Sequence, residues 1–118
     1  MANAYVIVGG SLAGATAAVT LREEGADGTV TMIGGERELP YERPPLSKAF
    51  LRGEVAFEGS LIHKAAFYAA HRIEPVPGVR ATRIDTDARA VVREDRRRLP
   101  FDRLLIATGG RNRRLAVP

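Results

Sequence analysis

The first residues able to do chemistry form a glycine-rich turn, Gly9–Gly14, directly after an apolar run. Its spacing is that of the G-x-G-x-x-G pattern, with Ser11 in place of the second glycine. In that pattern the first glycine turns the chain from strand to helix, the second lets a pyrophosphate approach the backbone, and the third lets the helix pack on the strand. Free amides at the helix start then bind phosphate oxygens. The turn therefore predicts dinucleotide binding, with a tight turn in another kind of α/β protein as the alternative.

The elements around this turn form a strand–helix–strand unit. The run Ala4–Val8 is apolar throughout, which is typical of a parallel strand buried on both faces. Apolar residues at helical spacing predict a helix over Ala13–Glu24 that ends at Gly25. The β-branched segment Thr29–Ile33 predicts a second strand. We therefore expect a βαβ crossover over residues 4–34.

An acidic residue follows the second predicted strand. Dinucleotide-binding folds place a carboxylate about 20 residues beyond the glycine motif, where it accepts a hydrogen bond from a ribose hydroxyl. Glu36 lies 22 residues after Gly14. The alternative is a solvated loop carboxylate, since Glu38 and Glu42 lie close by.

A proline loop and short helices are predicted over residues 39–71. The pair Pro44-Pro45 fixes an extended or turn backbone. Pro45 suits the first turn of a helix, which is predicted over Leu46–Arg52, and a second helix is predicted over Lys64–His71.

The last third of the chain predicts strands. A small antiparallel meander is predicted over residues 73–99. A further strand, within residues 103–110, is apolar and ends in Thr-Gly-Gly. We expect all these elements to belong to one α/β domain spanning residues 1–118, with a mostly parallel sheet.

Composition excludes several kinds of site. The 118 residues include no Cys, which excludes a disulfide scaffold, a Cys-based zinc site, a Cys nucleophile and a redox pair of cysteines. No segment offers the ~20 mostly apolar residues of a membrane span. No basic stretch precedes an apolar run near the start, so we expect no membrane association and a cytoplasmic location.

Charge is distributed unevenly along the chain. Residues 1–71 contain six basic and eight acidic residues, whereas residues 72–118 contain twelve Arg and six acidic residues. A basic half is compatible with nucleic-acid binding. The Arg residues are scattered, however, and only Arg96–Arg98 forms a run. We therefore expect a solvated basic surface that meets a phosphate or an acidic partner, and no nucleic-acid partner.

Two further segments resemble a known family. Residues 39–48, LPYERPPLSK, resemble the LPYxRPPLSK segment of FAD-dependent ferredoxin reductases, the putidaredoxin reductase-like members of the pyridine nucleotide-disulfide oxidoreductase family. Residues 101–111, FDRLLIATGGR, resemble the YDxLLxATGxR stretch of the same family. With the glycine turn, three motifs stand in the family's order and cover the chain almost from end to end. The first segment is specific to this subgroup, and the other two motifs are shared among flavoproteins with two dinucleotide sites.

The resemblance implies a role for each matching position. The glycine turn would cradle the FAD pyrophosphate through Gly9, Ser11, Leu12, Ala13 and Gly14. Arg43 would contact the adenosine or phosphate part of FAD, which a planar and permanently charged group suits, or alternatively would fix the proline loop through an ion pair. Lys48 would lie near the isoalloxazine ring, or alternatively would be an exposed helix residue. Backbone at Ala81 would meet the adenine, and Thr108 and Gly109 would bring backbone close to the cofactor.

One position departs from the family pattern. The ribose acid of the family stands six residues before the tyrosine of the 39–48 segment, where this chain has Gly35. Glu36 follows one residue later. Two interpretations stay open: Glu36 reaches the ribose through a small backbone shift, or the ribose is bound less well.

The resemblance also implies a fold and an activity. The fold would be a Rossmann-like FAD-binding domain, and the parent enzyme would pass electrons from NAD(P)H through FAD to an iron–sulfur ferredoxin. The sequence has no second glycine fingerprint, so we expect the N-terminal part of a longer reductase, with the NAD(P)H site outside this chain. Apolar surface left uncovered would favour self-association. The alternative is a non-enzymatic module that binds ADP or dinucleotides, and no residue is assigned as a catalytic acid, base or metal ligand.

Overall fold

Residues 3–117 are described by a computed structural model, and the ends of the predicted 1–118 domain (residues 1, 2 and 118) lie outside the described residues. The chain forms seven strands, two α-helices and two 3₁₀ turns in this part. In order they are β1 (Asn3–Val8), α1 (Leu12–Glu23), β2 (Gly28–Gly34), 3₁₀ turns at Pro44–Ser47 and Phe57–Ser60, α2 (Ala65–Ala70), β3 (Ile73–Pro77), β4 (Ala81–Asp85), β5 (Ala90–Arg93), β6 (Arg98–Pro100) and β7 (Arg103–Ile106).

The central layer is a four-stranded parallel sheet in the order β3-β2-β1-β7. Strand β1 is paired on both sides: Val6 lies opposite Thr31 of β2 and Leu104 of β7. All four strands run in one direction, so their carboxyl ends share one edge of the sheet. The predicted α/β fold with a mostly parallel sheet is confirmed.

Each face of this sheet is covered by a different layer. Ile7 faces the helices and packs with Ala15 and Ala18 of α1, all three being fully buried. The side chain of the neighbouring Val6 lies on the opposite face. It packs with Val91 of β5, which belongs to a second, antiparallel sheet. Strand β1 is apolar at successive positions because both of its faces are buried, as the sequence predicted.

Helix α1 ends in two backbone bonds of the Schellman type. The Gly25 N–H donates to the Arg22 carbonyl at 3.1 Å, and the Ala26 N–H donates to the Leu21 carbonyl at 2.9 Å. The observed bounds are one residue earlier at each end than the predicted Ala13–Glu24.

The Arg22 side chain ties this helix end to two neighbouring segments. Its guanidinium donates to the carbonyls of Ala26 and Gly28, each at 2.9 Å, at the approach to β2. It also donates to the carbonyls of His71 at 3.0 Å and Arg72 at 2.6 Å, between α2 and β3. One half-buried side chain therefore joins the crossover to the next helix–strand unit.

The predicted meander over residues 73–99 is wrong at its start. Residues 73–77 form β3, which pairs in parallel with β2 and belongs to the central sheet. The antiparallel sheet is β4-β5-β6 and covers residues 81–100. Pro75 and Pro77 hid the strand in the sequence, but β3 is an edge strand, where a residue without an N–H is tolerated.

The helix predicted over Leu46–Arg52 is also wrong. This segment begins with a single 3₁₀ turn, in which Leu46 and Lys48 donate to the carbonyls of Arg43 and Pro45, each at 3.0 Å. Lys48 has a ψ of −108°, outside the helical range, so the turn ends there. Helix α2, by contrast, lies within the predicted 64–71 range.

Candidate functional site

A cleft of about 520 Å³ opens at the carboxyl edge of the central sheet. The strand order reverses between β1 and β7, and ligands of open α/β sheets bind at such a switch point. The volume is in the range of small-molecule sites. The predicted site residues that line the cleft are Gly9, Ser11, Gly35, Glu36, Arg43, Ala81, Thr108 and Gly109. Of the remaining four, Leu12, Ala13 and Gly14 lie in the first turn of α1, and Lys48 follows the first 3₁₀ turn.

Gly9 carries the chain out of β1 between the ends of two neighbouring strands. Its N–H donates to the Ile33 carbonyl of β2 at 2.8 Å. On its other side, a Cβ at this position would lie 1.9 Å from the carbonyl oxygen of Ala107, just after β7, and φ is +131°. No larger residue fits that space or that backbone conformation.

Gly14 makes the second close approach. A Cβ at Gly14 would lie 1.9 Å from the carbonyl oxygen of Gly9 and 3.3 Å from Cγ2 of Ile7. The absence of a side chain therefore lets α1 begin against the turn that precedes it. These are the packing roles that the pattern assigns to its first and third glycines.

The start of α1 offers donors to a ligand. Ser11 occupies the N-cap position, and its side chain makes no capping hydrogen bond. The first amides of a helix have no partner within the helix. The side chain of Leu12, the first helical residue, is 62% exposed, so it does not bury these amides. The turn thus presents a hydroxyl and several N–H groups beside the cleft, and pyrophosphate binding there stays a prediction.

Sequence reasoning missed a contact between two glycine backbones. A Cβ on Gly34 would lie 3.1 Å from both the Cα and the N of Gly10, and both residues line the cleft. The signal was available: Gly-Gly pairs follow two successive predicted strands. Because a right-handed crossover brings the ends of both strands to one edge, these pairs had to meet.

The segment that follows β7 forms a further wall of the cleft. The Ala107 N–H donates to the Val8 carbonyl at 2.7 Å, which continues the pairing with β1 beyond the last residue of β7. Thr108 and Gly109 follow at the rim. Ala107 was not among the predicted site residues, although its carbonyl is the atom that faces Gly9.

Glu36 is held by two residues of the proline loop. Its Oε2 accepts a hydrogen bond from the Tyr41 hydroxyl at 2.6 Å, and its Oε1 accepts one from Arg43 at 2.9 Å. The hydrogen bond from Tyr41, followed by the charge and hydrogen bond of Arg43, lowers the pKa of Glu36. The same Tyr41–Glu36 bond raises the pKa of the Tyr41 hydroxyl. Both carboxylate oxygens therefore have protein partners, and the carboxylate is charged at neutral pH.

The Arg80 side chain lies beside Gly35, the position at which the resemblance implied a ribose acid. A Cβ on Gly35 would lie 3.0 Å from Cγ and 3.2 Å from Nε of Arg80. Ala81, next in the chain, begins β4 and lines the cleft beside Arg80. The distance in sequence between Gly35 and Arg80 concealed this contact.

Residues 3–117 contain neither a clustered metal site nor a helix that could span a membrane. In that range no group of three or more His, Cys, Asp or Glu side chains is placed to hold a metal ion. None of the helices found there has the length and apolar character needed to cross a membrane.

Comparison with known proteins relates the chain to reductases. It is 44% identical over 113 residues to rhodocoxin reductase of Rhodococcus erythropolis, covering 96% of this chain and 26% of that protein. It is 41% identical over 112 residues to putidaredoxin reductase of Pseudomonas putida, covering 95% of this chain and again 26% of the relative. The chain thus spans about a quarter of the length of the curated relatives it matches.

Solved structures of reductases are also similar to this chain. The crystal structure of the covalent putidaredoxin reductase–putidaredoxin complex superposes with a TM-score of 0.92 at 40% identity, covering 98% of this chain and 28% of the matched chain. The ferredoxin reductase for the CYP199A2 system of Rhodopseudomonas palustris gives 0.91 at 34% identity, with the same coverage of 98% and 28%. The family profile for pyridine nucleotide-disulphide oxidoreductases matches residues 3–118. The resemblance read from the three motifs is therefore confirmed, and this chain belongs to the pyridine nucleotide-disulphide oxidoreductase family.

Proposed function

We propose that this chain is the FAD-binding unit of a reductase that passes electrons from NAD(P)H to an iron–sulfur ferredoxin. The observation that carries the proposal is the cleft at the switch point of a family member, which Gly9 lines and beside which Gly14 lets α1 begin. The relatives support it by name, since they include ferredoxin–NAD(+) reductase components of dioxygenase systems. A cytoplasmic location belongs to the same proposal, because NAD(P)H is the electron donor.

The residues fit the diphosphate end of FAD. The lack of a Cβ on Gly9 and Gly14 lets the turn pack against the Ala107 carbonyl and lets α1 begin against the turn, so the first amides of α1 lie beside the cleft, where phosphate oxygens can bind. In the proposal the Ser11 hydroxyl adds a donor there. Thr108 and Gly109 bring the backbone after β7 to the same end of the cofactor.

Other residues fit the rest of FAD to different degrees. Arg43 lines the cleft while paired with Glu36, so it presents a held guanidinium to the adenosine or phosphate part. Ala81 lines the cleft on the side proposed for the adenine. Lys48 lies outside the cleft lining, and its proposed place near the isoalloxazine ring requires a cofactor that extends beyond the cleft. Bound FAD supplies the hydride acceptance and single-electron release that the side chains of this chain do not.

The proposed ferredoxin partner suits the charge of the chain. The twelve Arg residues of the second part give a basic surface, although Arg93 and Arg98 are partly neutralised by Asp95 and Asp85. A basic surface steers an acidic partner, and added salt weakens that attraction. The nicotinamide site belongs to parts of the relatives that this chain does not match.

A dinucleotide-binding module without redox turnover is the second candidate. It is favoured by the position of Lys48 outside the cleft, because the residues that line the cleft are those proposed for the adenosine and phosphate end of the ligand.

An absorption spectrum separates these candidates. Purified protein is mixed with FAD, the excess is removed, and the spectrum is recorded beside that of the Arg43→Ala variant. Flavin bands that stay with the protein, and that are weaker for Arg43→Ala, support the FAD-binding unit. Colourless protein that still binds ADP in calorimetry supports the module, and protein that binds neither ligand refutes the dinucleotide site.

A further inference from the structure

Three side chains form a connected network at the end of the cleft beside β2. Nη2 of Arg43 donates to Oε1 of Glu36 at 2.9 Å, and the Tyr41 hydroxyl donates to Oε2 of Glu36 at 2.6 Å. Nη1 of Arg43 also donates to the Tyr41 hydroxyl oxygen at 3.3 Å. The guanidinium carbon lies 5.2 Å from the centre of the Tyr41 ring, within the range of a cation–π contact. Each member of the network therefore contacts the other two.

Tyr41 is anchored by the second 3₁₀ turn and the residue after it. Its backbone forms an antiparallel bridge with Leu61, and the N–H of the next residue, Glu42, donates to the Ser60 carbonyl at 2.8 Å. The Tyr41 ring packs edge-on against Phe57, with the two ring centres 5.2 Å apart. Backbone and ring contacts thus fix Tyr41 without any contribution from Arg43.

Glu36 is anchored by a different segment. Its carbonyl accepts a hydrogen bond from the Gly78 N–H at 2.6 Å, and the Gly34 carbonyl accepts one from the Val79 N–H at 2.9 Å. These bonds hold the loop that follows β2 against the β3–β4 connection. The two partners of Arg43 are therefore held in place by separate parts of the fold.

Arg43 is the member of the network that depends on the other two. Its side chain is 58% exposed, although the residue lines the cleft, and a long exposed side chain without partners samples many conformations. Ordering such a side chain when a ligand binds costs affinity. A guanidinium has five N–H donors, and the contacts with Glu36 and Tyr41 use two of them. The network therefore restricts Arg43 while leaving donors for a ligand.

The contacts of Glu36 are not those of a ribose acid. The resemblance implies that acid at position 35, which is glycine in this chain. Both oxygens of the Glu36 carboxylate accept hydrogen bonds from the proline loop, one of them from a cation. A ribose hydroxyl would have to share these oxygens with Tyr41 and Arg43. The carboxylate is thus engaged with the side chains that surround Arg43.

We propose that Glu36 and Tyr41 are positioning residues, which hold Arg43 in place at the cleft before the dinucleotide binds, and that Glu36 does not bind the ribose. The inference rests on the proposed dinucleotide site and assigns these residues a task within it. Glu36 supplies the opposite charge, whereas Tyr41 supplies a hydroxyl donor to the carboxylate and a ring face to the guanidinium. Tyr41 acts from outside the cleft, because it is not among the residues of the described part that line it.

Calorimetric titration of the full chain with ADP tests the positioning role through Tyr41→Phe. This variant keeps the ring and changes no charge, and we expect it to bind ADP about threefold more weakly, because Arg43 must then be ordered on binding. In an Arg43→Ala background the same substitution should leave the affinity unchanged, since no guanidinium remains to be positioned. A merely structural role would weaken binding in both backgrounds. Tyr5→Phe, which removes a hydroxyl on β1 away from the cleft lining, is the matched control and should bind ADP like the parent.

The role of the carboxylate is tested by comparing Glu36→Gln with Glu38→Gln. Glu38 also lines the cleft, so each substitution removes one negative charge near the ligand, but of these two acids only Glu36 pairs with Arg43 in residues 3–117. We expect Glu36→Gln to bind ADP about fivefold more weakly than Glu38→Gln when Arg43 is present. In the Arg43→Ala background the two variants should bind ADP equally well.

Nucleotides that lack one ribose hydroxyl distinguish positioning from ribose binding. We expect the affinities for 2′-deoxy-ADP and 3′-deoxy-ADP, each relative to that for ADP, to be the same in the parent and in Glu36→Gln. A preference for ADP that falls in Glu36→Gln shows that Glu36 binds the ribose and overturns the inference. Losses of affinity that persist without Arg43, or unchanged affinity in Tyr41→Phe, also overturn it while the dinucleotide site stands. If ADP does not bind the parent, the proposed function and the inference both fail.

Discussion

The close approach of α1 to the glycine turn allows a quantitative test at Gly14. In Gly14→Ala the new Cβ would lie 1.9 Å from the carbonyl oxygen of Gly9, a backbone atom that cannot rotate away. Helix and turn must separate by roughly 1.5 Å to restore an ordinary contact. Overpacking of this kind costs about 1–3 kcal/mol, and replacing a helical glycine recovers up to about 1 kcal/mol.

We therefore expect Gly14→Ala to lower the free energy of unfolding by about 2 kcal/mol. For a domain of this size that corresponds to a fall in Tm of roughly 8 °C. The separation also moves the first amides of α1 away from the proposed phosphate position, so affinity for FAD or ADP should fall as well. Gly14→Val, which adds two further carbons, should abolish binding.

Gly59→Ala serves as the control for adding one methyl group at a glycine. Gly59 lies in the second 3₁₀ turn, where the nearest atom to a new Cβ is Cβ of Val55 at 3.9 Å, an ordinary contact. Its Tm should stay close to that of the parent, since surface substitutions usually change stability by less than about 0.5 kcal/mol. If Gly14→Ala has the same Tm as Gly59→Ala and binds nucleotide with the affinity of the parent, the packing argument is wrong.

Three further predictions address stability, pH and association. Arg22→Ala should lower the free energy of unfolding by about 2–3 kcal/mol in urea titrations, because four carbonyls lose a charged donor; a change below about 0.5 kcal/mol would show that water replaces it. The pKa of Glu36 is lowered, chiefly by the Tyr41 hydrogen bond and then by Arg43, so the stability difference between the parent and Glu36→Gln should be complete above the ordinary pKa of 4.5 and disappear as pH falls through the folded-state pKa. A difference that is the same at pH 7 and pH 3 would contradict this assignment. Leu105 on β7 is 42% exposed, and Leu105→Lys should shift light-scattering masses toward the monomer if this edge mediates the proposed self-association, whereas an unchanged mass would place that contact elsewhere.

The sequence predicted best the elements whose environment is uniform along their length. Strand β1 was predictable because burial on both faces leaves a continuous apolar run, and α1 because it begins at a recognisable turn and ends at Gly25. Strand β3 was not predictable in the same way. Pro75 and Pro77 argue against a strand, and only its place at the edge of the sheet, a property of the whole fold, makes them acceptable.

The same distinction applies to the candidate site, where local features could be predicted from the sequence and contacts between folded segments could not. Gly9 and Gly14 could be assigned packing roles from spacing alone, because the turn is local. Glu36 could be named as a charged residue near the ribose, but its hydrogen bonds to Tyr41 and Arg43 depend on how the proline loop folds back. Side-chain direction in an irregular loop leaves no periodic signal in the sequence.

Shape and charge at this cleft are set by different parts of the molecule. The shape depends on backbone contacts, such as the Ala107 carbonyl against Gly9 and the Val79 N–H bonded to the Gly34 carbonyl. Side-chain substitutions elsewhere do not remove these contacts. The charge at the end of the cleft beside β2 depends on exposed side chains, since Glu36 and Arg43 are each about half exposed and the Arg80 side chain lies beside Gly35. Substitutions of these side chains can therefore change the charge of the cleft while the backbone contacts keep its shape.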